Sequence, residues 1–277
     1  MSIKNTENKL TNIKVAKTLV QKYSVKKEFG QNFLISTKSL YHMVNSAEIE
    51  STDSVIEIGP GFGSVTEELL NRGVKPICFE IDPKKIEFLS EYFGEQIELV
   101  HQDFLELDFE KFLEDHQIIK YKVVSSLPYN VSKPIVAKLL KTKTQPTIMS
   151  VIMQKEVGRD YISTSPDAQF LGAFARVWSN VKSFGKINTW EFYPKPQVDG
   201  IIIRFTTPND IGLTHEEKLK FSDFVHLAFM NPRKQLQSVL KKVYPTIKDI
   251  VIALGYKETI RAHELNVDDL LKIYQML

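Results

Sequence analysis

The 277-residue chain carries 36 lysines and arginines against 34 aspartates and glutamates, a net charge of +2, with 43% hydrophobic and 25% charged residues. That balance is the one of an ordinary globular protein, long enough for a full α/β domain and a smaller second one. A lone cysteine, Cys78, excludes a disulfide framework and a cysteine-based zinc site, and no apolar stretch approaches the roughly 18 to 20 residues of a membrane span.

The leader, up to Leu34, holds Lys4, Lys9, Lys14, Lys17, Lys22, Lys26 and Lys27 against only Glu7 and Glu28. It reads as a mobile basic arm that touches phosphates or, equally, as a solvated tail. It lacks the continuous apolar core of a secretory signal and the arginines of a mitochondrial presequence, so the expected location is cytoplasmic. Leu40, Met43, Val44 and Ala47 then predict an amphipathic helix over Thr37 to Ala47.

Four strand-like runs follow, each closing on a polar residue or a turn: Val55 to Ile58, Ile77 to Glu80, Ile97 to Asp103 and Val123 to Ser126. Their ends recur every 21 to 23 residues, with helical patterns such as Val65-Leu69-Leu70 and Ile86-Leu89-Tyr92-Phe93 between them. Strand and helix alternating at this pitch predict an α/β fold with a doubly wound parallel sheet, whose ligands bind at the carboxyl ends of the strands. Cys78, within Ile77-Cys78-Phe79, reads as a small buried hydrophobe in the second run.

The first run enters Glu57-Ile58-Gly59-Pro60-Gly61-Phe62-Gly63. The spacing is G-x-G-x-G rather than the G-x-G-x-x-G that cradles a pyrophosphate, which points to a ligand with an adenosine and no phosphates, S-adenosylmethionine being the usual one. Glu80, about 20 residues on, suits the ribose hydroxyls, with a plain surface carboxylate as the alternative. Asp103 suits the exocyclic amine of the ligand's adenine, with Phe104 or a neighbour against the ring. Ser126-Leu127-Pro128-Tyr129-Asn130 suits a planar amine: a side-chain acceptor, a backbone carbonyl held by proline, and an aromatic face. Taken alone, a Pro-Tyr loop is more often structural.

Further strands are expected at Thr147 to Met153 and Val198 to Phe205, and Pro208-Asn209-Asp210 marks a boundary. Beyond it Phe221 to Phe229, Leu236 to Leu240, Ile247 to Leu254 and Val267 to Tyr274 read as helices, with Gly255 ending the third and Asn266 capping the last. The expected organisation is a basic arm over 1–25, a sheet domain over 26–207 and a helical domain over 208–277. The six histidines (His42, His101, His116, His215, His226 and His263) show no ligand spacing, and no metal is expected.

Lys27-Glu28-Phe29-Gly30-Gln31-Asn32-Phe33-Leu34, the glycine turn, and Ser126-Leu127-Pro128-Tyr129-Asn130 occur in the order and spacing of the ribosomal RNA adenine dimethyltransferase family. So do Met153-Gln154-Lys155-Glu156-Val157, Phe192-Tyr193-Pro194-Lys195-Pro196-Gln197-Val198-Asp199 and Arg233-Lys234-Gln235-Leu236. The chain resembles that family from about Lys26 to its end. The resemblance implies a Rossmann-like methyltransferase sheet with a C-terminal helical RNA-binding domain. It also implies a cofactor pocket for S-adenosyl-L-methionine built from Asn32, Leu34, Gly59, Glu80, Asp103 and Ser126, and a target adenine sandwiched by Tyr129 and Phe192. Asparagine is usual in the family where this chain has Ser126.

Family members of one kind dimethylate two adjacent adenines in the 3′-terminal hairpin of small-subunit ribosomal RNA. Those of another dimethylate one large-subunit adenine and give macrolide resistance. Leu127, the chain length and Arg261-Ala262-His263-Glu264-Leu265 resemble the first kind. A catalytically weak RNA-binding ribosome assembly factor is the third reading, resting on Ser126 alone. The expected partner is ribosomal RNA within a small-subunit precursor, with no membrane, and the protein is expected to be a monomer.

Overall fold

The computed structural model describes residues 10–23 and 32–277. Lys4, Lys9, Lys26, Lys27 and the motif residues 27–31 lie outside the described residues. In chain order the elements are α1 (Ile13–Tyr23), β1 (Phe33–Leu34), α2 (Thr37–Ser46), β2 (Val55–Ile58), α3 (Ser64–Asn71), β3 (Ile77–Glu80), α4 (Pro83–Phe93), β4 (Glu98–His101), α5 (Phe109–Asp115), β5 (Lys122–Ser126), α6 (Ser132–Lys141) and β6 (Ile148–Gln154). They continue with α7 (Lys155–Ile162), α8 (Phe170–Trp178), β7 (Asn180–Ile187), β8 (Phe192–Tyr193), β9 (Gly200–Thr206), α9 (His215–Phe229), α10 (Leu236–Leu240), α11 (Ile247–Ala253) and α12 (Val267–Tyr274). Among the described residues no helix is long and apolar enough to cross a membrane.

Two compact units divide the chain: Met1–Lys155 with Lys182–Thr206, and Glu156–Val181 with Thr207–Leu277. The first is built on a seven-stranded sheet in the order β4-β3-β2-β5-β6-β9-β7. The strands from β4 to β6 pair in parallel and β9 lies antiparallel to β6. Every residue of β2 and β3 is buried, the continuous apolar pattern of strands covered on both faces. Since β2 pairs with β3 on one side and β5 on the other, the strand order reverses there, and a crevice opens beyond their carboxyl ends.

Part of the leader departs from the expected arm. Residues 13–23 form α1, whose Lys14, Lys17 and Lys22 face solvent while Ala16 and Tyr23 are buried. Tyr23 packs on Phe62 and Phe88 with ring centroids 5.8 and 5.7 Å away, and Val15, Leu19 and Val20 join the same cluster. Ala16, Leu19, Val20 and Tyr23 recur at helical spacing between the lysines, so one stripe is apolar and the rest charged. The third expected strand is also shorter, because β4 ends at His101 and leaves Gln102 and Asp103 in the loop beyond it.

The second unit takes in residues 156–181, which fall within the sheet domain expected over 26–207. The reason lies in α8, whose apolar side packs on α9: the indole Nε1 of the fully buried Trp178 donates to Ser222 Oγ at 2.9 Å. Arg176 on the same helix donates to the carbonyls of Tyr161, Ile162, Ser163 and Gly172, tying the end of α7 to α8. At the far end of the unit, Leu236 N donates to the carbonyl of Ile260 at 2.8 Å and His263 Nδ1 lies 2.7 Å from the carbonyl of Pro232. The two C-terminal motifs, at 233–236 and 261–265, therefore meet. Asn266 caps α12 by accepting from Asp269 N at 2.9 Å.

Candidate active site

The crevice beyond β2, β3 and β5 holds a cavity of about 370 Å³, within the range of small-molecule and cofactor sites. Of the residues singled out in the sequence, Asn32, Leu34, Gly59, Glu80, Asp103, Ser126 and Tyr129 all line it; Phe192 does not.

The glycine turn shapes its floor. Gly61 adopts φ +62°, and a Cβ there would come within 2.8 Å of the Phe33 ring; Gly63, at φ +80°, has Phe93 where its Cβ would be. Only glycine lets this backbone turn under Phe33 and into α3. Phe33 and Leu34 are held over the turn because β1 pairs antiparallel with β8, Phe33 opposite Tyr193 and Leu34 opposite Phe192.

Glu57, at the carboxyl end of β2, is fully buried. Burial pushes its carboxyl up to about 8, against hydrogen bonds from Thr66 Oγ1 at 2.6 Å and Cys78 Sγ at 3.8 Å that hold it down. At neutral pH this side chain is largely a neutral acid bracing the turn to α3. Cys78 itself is fully buried, and burial pushes its thiol up.

Glu80 is fixed by three backbone amides. Its Oε1 accepts from Ile81 and Asp82 at 2.9 Å each, and its Oε2 from Gly61 at 3.2 Å. Asp103 Oδ1 accepts from Leu105 N at 2.8 Å, which curls the loop after β4 so that Phe104 lines the cavity. Lys138 of α6 locks that loop. Its Nζ donates to the carbonyls of Phe104, Leu105 and Leu107 at 2.8, 3.0 and 2.5 Å, and sits 5.3 Å from the centre of the Phe104 ring. Nothing local in the sequence marks Lys138, because these partners lie 31 to 34 residues upstream.

The end of β5 is arranged differently. Ser125 donates to the carbonyl of Ile58 and is committed to the sheet. Ser126 is half-buried at the cavity wall, and no hydrogen bond is seen to its hydroxyl among the described residues. Tyr129 Oη is buried without a hydrogen-bond partner, and burial with the nearby Asp199 charge raises its ionisation above that of a free phenol.

Phe192 is only 2% exposed and its ring meets Tyr129 edge-on, centroids 6.5 Å apart and planes at 77°. The structure thus shows an edge-to-face pair rather than two parallel faces open to a base. Gly200 makes room behind it, since a Cβ there would lie 3.1 Å from Tyr129 Oη and 3.2 Å from Phe192 Cζ. Asp199 explains why two separate motifs accompany each other: its carboxylate pairs with Lys186 at 2.9 Å and Lys155 at 3.9 Å, and its carbonyl accepts from Lys155 N at 2.9 Å.

Residues 22–277 match the family described as ribosomal RNA adenine dimethylase. The chain belongs to that family. Its curated relatives include proteins named ribosomal RNA small subunit methyltransferase A. One, from Dehalococcoides mccartyi strain CBDB1, is 31% identical over 93% of this chain and 91% of its own length. Another, from Clostridium botulinum strain Langeland, is 34% identical over 82% and 84% respectively. Among solved structures, the 23S rRNA methyltransferase ErmE superposes with a TM-score of 0.70 at 23% identity, over 88% of this chain and 98% of that one. A dimethyladenosine transferase from Plasmodium falciparum superposes with a TM-score of 0.72 at 20% identity, over 88% and 96%. Both show the same fold.

As a member of the ribosomal RNA adenine dimethylases, the chain is an S-adenosylmethionine-dependent methyltransferase acting on adenine. The cavity suits that cofactor: it offers carboxylates at the ends of adjacent strands and an aromatic ring at Phe104. Among the described residues it offers no cluster of cations for a phosphate chain, Lys85 being the single lysine or arginine that lines it.

Proposed function

We propose that this dimethylase acts on small-subunit ribosomal RNA in the cytoplasm, as a monomer, modifying N6 of two adjacent adenines in the 3′-terminal hairpin during ribosome biogenesis. The observation that carries the choice of subunit is the 31 to 34% identity to proteins named for small-subunit methylation, over more than four-fifths of each chain. The structural likeness does not discriminate, since a 23S enzyme superposes as well as a dimethyladenosine transferase.

Within the cavity Glu80 is assigned to the ribose and Asp103 to the adenine of S-adenosylmethionine, with Asn32 and Leu34 over its methionine part and Gly59 beneath. When bound, the cofactor supplies an electrophilic methyl group. The residues beyond β5 prepare the acceptor. The target adenine stacks on Tyr129, with Phe192 packed behind or turning to meet the base, and its exocyclic amine donates to Ser126 Oγ and the carbonyl of Leu127. Those acceptors draw the nitrogen toward a tetrahedral shape and free its lone pair, while the rigid Pro128 keeps it in line at about 3 Å from the reacting carbon. The amine proton becomes acidic only after transfer, so no strong base is required of the chain.

RNA affinity is assigned to exposed cations of each unit, Lys14, Lys17 and Lys22 on α1 and Arg233, Lys234, Lys241 and Lys242 in the helical unit. It should fall steeply with salt. The deciding experiment resolves mono- and dimethyladenosine by mass in ribosomal RNA from cells with and without the protein. Loss of dimethyladenosine from the small-subunit 3′ hairpin is expected; loss from the large subunit alone would overturn the reading.

A further inference from the structure

Two neighbouring lysines open α4 and meet opposite fates. Lys84 is exposed, whereas Lys85 turns inward, its side chain 3% exposed, and lines the cavity beside Glu80. The placement is unfavourable twice over. A helix N-terminus carries partial positive charge that disfavours a cation in its first turn, and burial strips an ammonium of its water. Burial lowers the basicity of Lys85, and the carboxylates of Glu80 and Asp82 act against that.

An ammonium has three protons to donate. Among the described residues, the one ion-pair partner of Lys85 Nζ is Asp82 Oδ2, 3.5 Å away, at the outer limit of a hydrogen bond, and Nζ lies 5.6 Å from the centre of the Phe33 ring. Asp82 is also committed elsewhere, since its Oδ1 caps α4 by accepting from Lys84 N at 3.0 Å. A buried cation held this loosely has donor capacity to spare, and it lines the same cavity as Glu80. Glu80 only accepts. A ribose hydroxyl that donates to Glu80 keeps its own oxygen lone pairs, and these need a donor.

We propose that Lys85 is a cofactor-binding residue, donating from Nζ to a ribose hydroxyl oxygen of S-adenosylmethionine while Glu80 accepts from the same diol. The inference rests on the cavity being the cofactor site. It makes the ribose position two-sided, an acceptor and a donor on one diol, and so selects against ligands that lack either hydroxyl.

The test is a titration calorimetry cycle on the full chain with S-adenosylhomocysteine and its 2′-deoxy and 3′-deoxy counterparts. Lys85→Met keeps the length of the stem and removes the charge, and its thermal unfolding is followed alongside. Wild type should bind S-adenosylhomocysteine about 10- to 100-fold more tightly than Lys85→Met, the range of a charged hydrogen bond. One deoxy counterpart should lose affinity for wild type and lose far less for the variant, a non-additivity that a merely structural lysine does not produce. Should Lys85→Met fail to fold, Lys85→Gln enters the same cycle. Equal affinity of variant and wild type, or deoxy penalties that simply add, would overturn the inference. A wild type that fails to bind S-adenosylhomocysteine at all sinks the cofactor assignment itself, a different outcome.

Discussion

The two halves of the cavity are built on opposite principles. Beyond β3 and β4 the polar groups, Lys85 apart, are served before any ligand arrives: Glu80 accepts from three amides, Asp103 from one, and Lys138 closes the loop after β4 on three carbonyls. Beyond β5 the Ser126 hydroxyl stands at the cavity without a partner among the described residues, and the Tyr129 ring lines it with its Oη buried toward Gly200. A surface held this tightly binds a small rigid ligand without reorganising. A surface with open valences takes its partners from the substrate and forms them as the reaction proceeds, so they strengthen in the transition state. The cofactor half is a mould, and the base half is a set of unspent contacts.

Breaking the mould should give the largest effect. Glu80→Ala removes the ribose acceptor and leaves the amides of Gly61, Ile81 and Asp82 unserved, so S-adenosylhomocysteine affinity should fall by about 2 to 3 kcal/mol, roughly 30- to 150-fold, in calorimetry. A variant that binds like wild type would put the cofactor elsewhere.

Tyr129→Ala attacks the other half. Loss of a base-stacking face is worth about 1 to 3 kcal/mol, so single-turnover methyl transfer to small subunits should slow about 5- to 150-fold with cofactor affinity nearly intact. If cofactor affinity falls in parallel, the halves are not separate.

Lys138→Met loosens the mould from outside the cavity. With three carbonyls released, cofactor affinity should drop about 10-fold, and the KM for the cofactor should rise while that for RNA stays constant. A parallel rise in both would assign Lys138 to general stability.

The pH dependence of stability sharpens the contrast within β2. The carboxyl of Glu57 is raised by burial, from an ordinary value of 4.5 to about 8 in the folded protein. Its contribution is therefore fully present below about 4.5 and is lost as pH rises through about 8, because the unfolded chain releases the proton first. Denaturation midpoints should decline over that window in wild type, and Glu57→Gln should flatten the decline. An identical slope in both would show that Glu57 is ionised in the fold.

The smallest effect belongs to Ser126. A neutral hydroxyl that accepts one hydrogen bond is worth about 1 kcal/mol, so Ser126→Ala should lower the transfer rate about 5-fold without changing cofactor affinity. Ser126→Asn, with its longer acceptor, should raise the rate or the dimethylated fraction. A loss of cofactor affinity in Ser126→Ala would assign the hydroxyl to the cofactor instead.

Much of this was legible in the chain itself. Apolar runs ending at Ile58, Glu80 and Ser126, the glycine turn between β2 and α3, and the cap at Asn266 are local features, set by neighbours within a few residues, and each appears where the spacing put it. Gly59, Glu80, Asp103 and Ser126 share the cavity because strand ends in a parallel sheet gather on one edge whatever the loops do, whereas Asn32 and Leu34 were marked by the family resemblance alone.

What only the tertiary structure decided depends on partners far apart in sequence. The leader's lysines concealed a helix because its apolar stripe becomes meaningful only once Phe62 and Phe88 are there to receive Tyr23. Residues 156–181 join the second unit because Trp178 finds Ser222 more than forty positions away. Phe192 turned its edge to Tyr129 because Gly200 leaves space behind both rings. Burial completes the list: whether Glu57 is a charge or a neutral brace, and whether Lys85 meets solvent or the cavity, follows from what surrounds a side chain in three dimensions, and a spacing along the chain carries no measure of that.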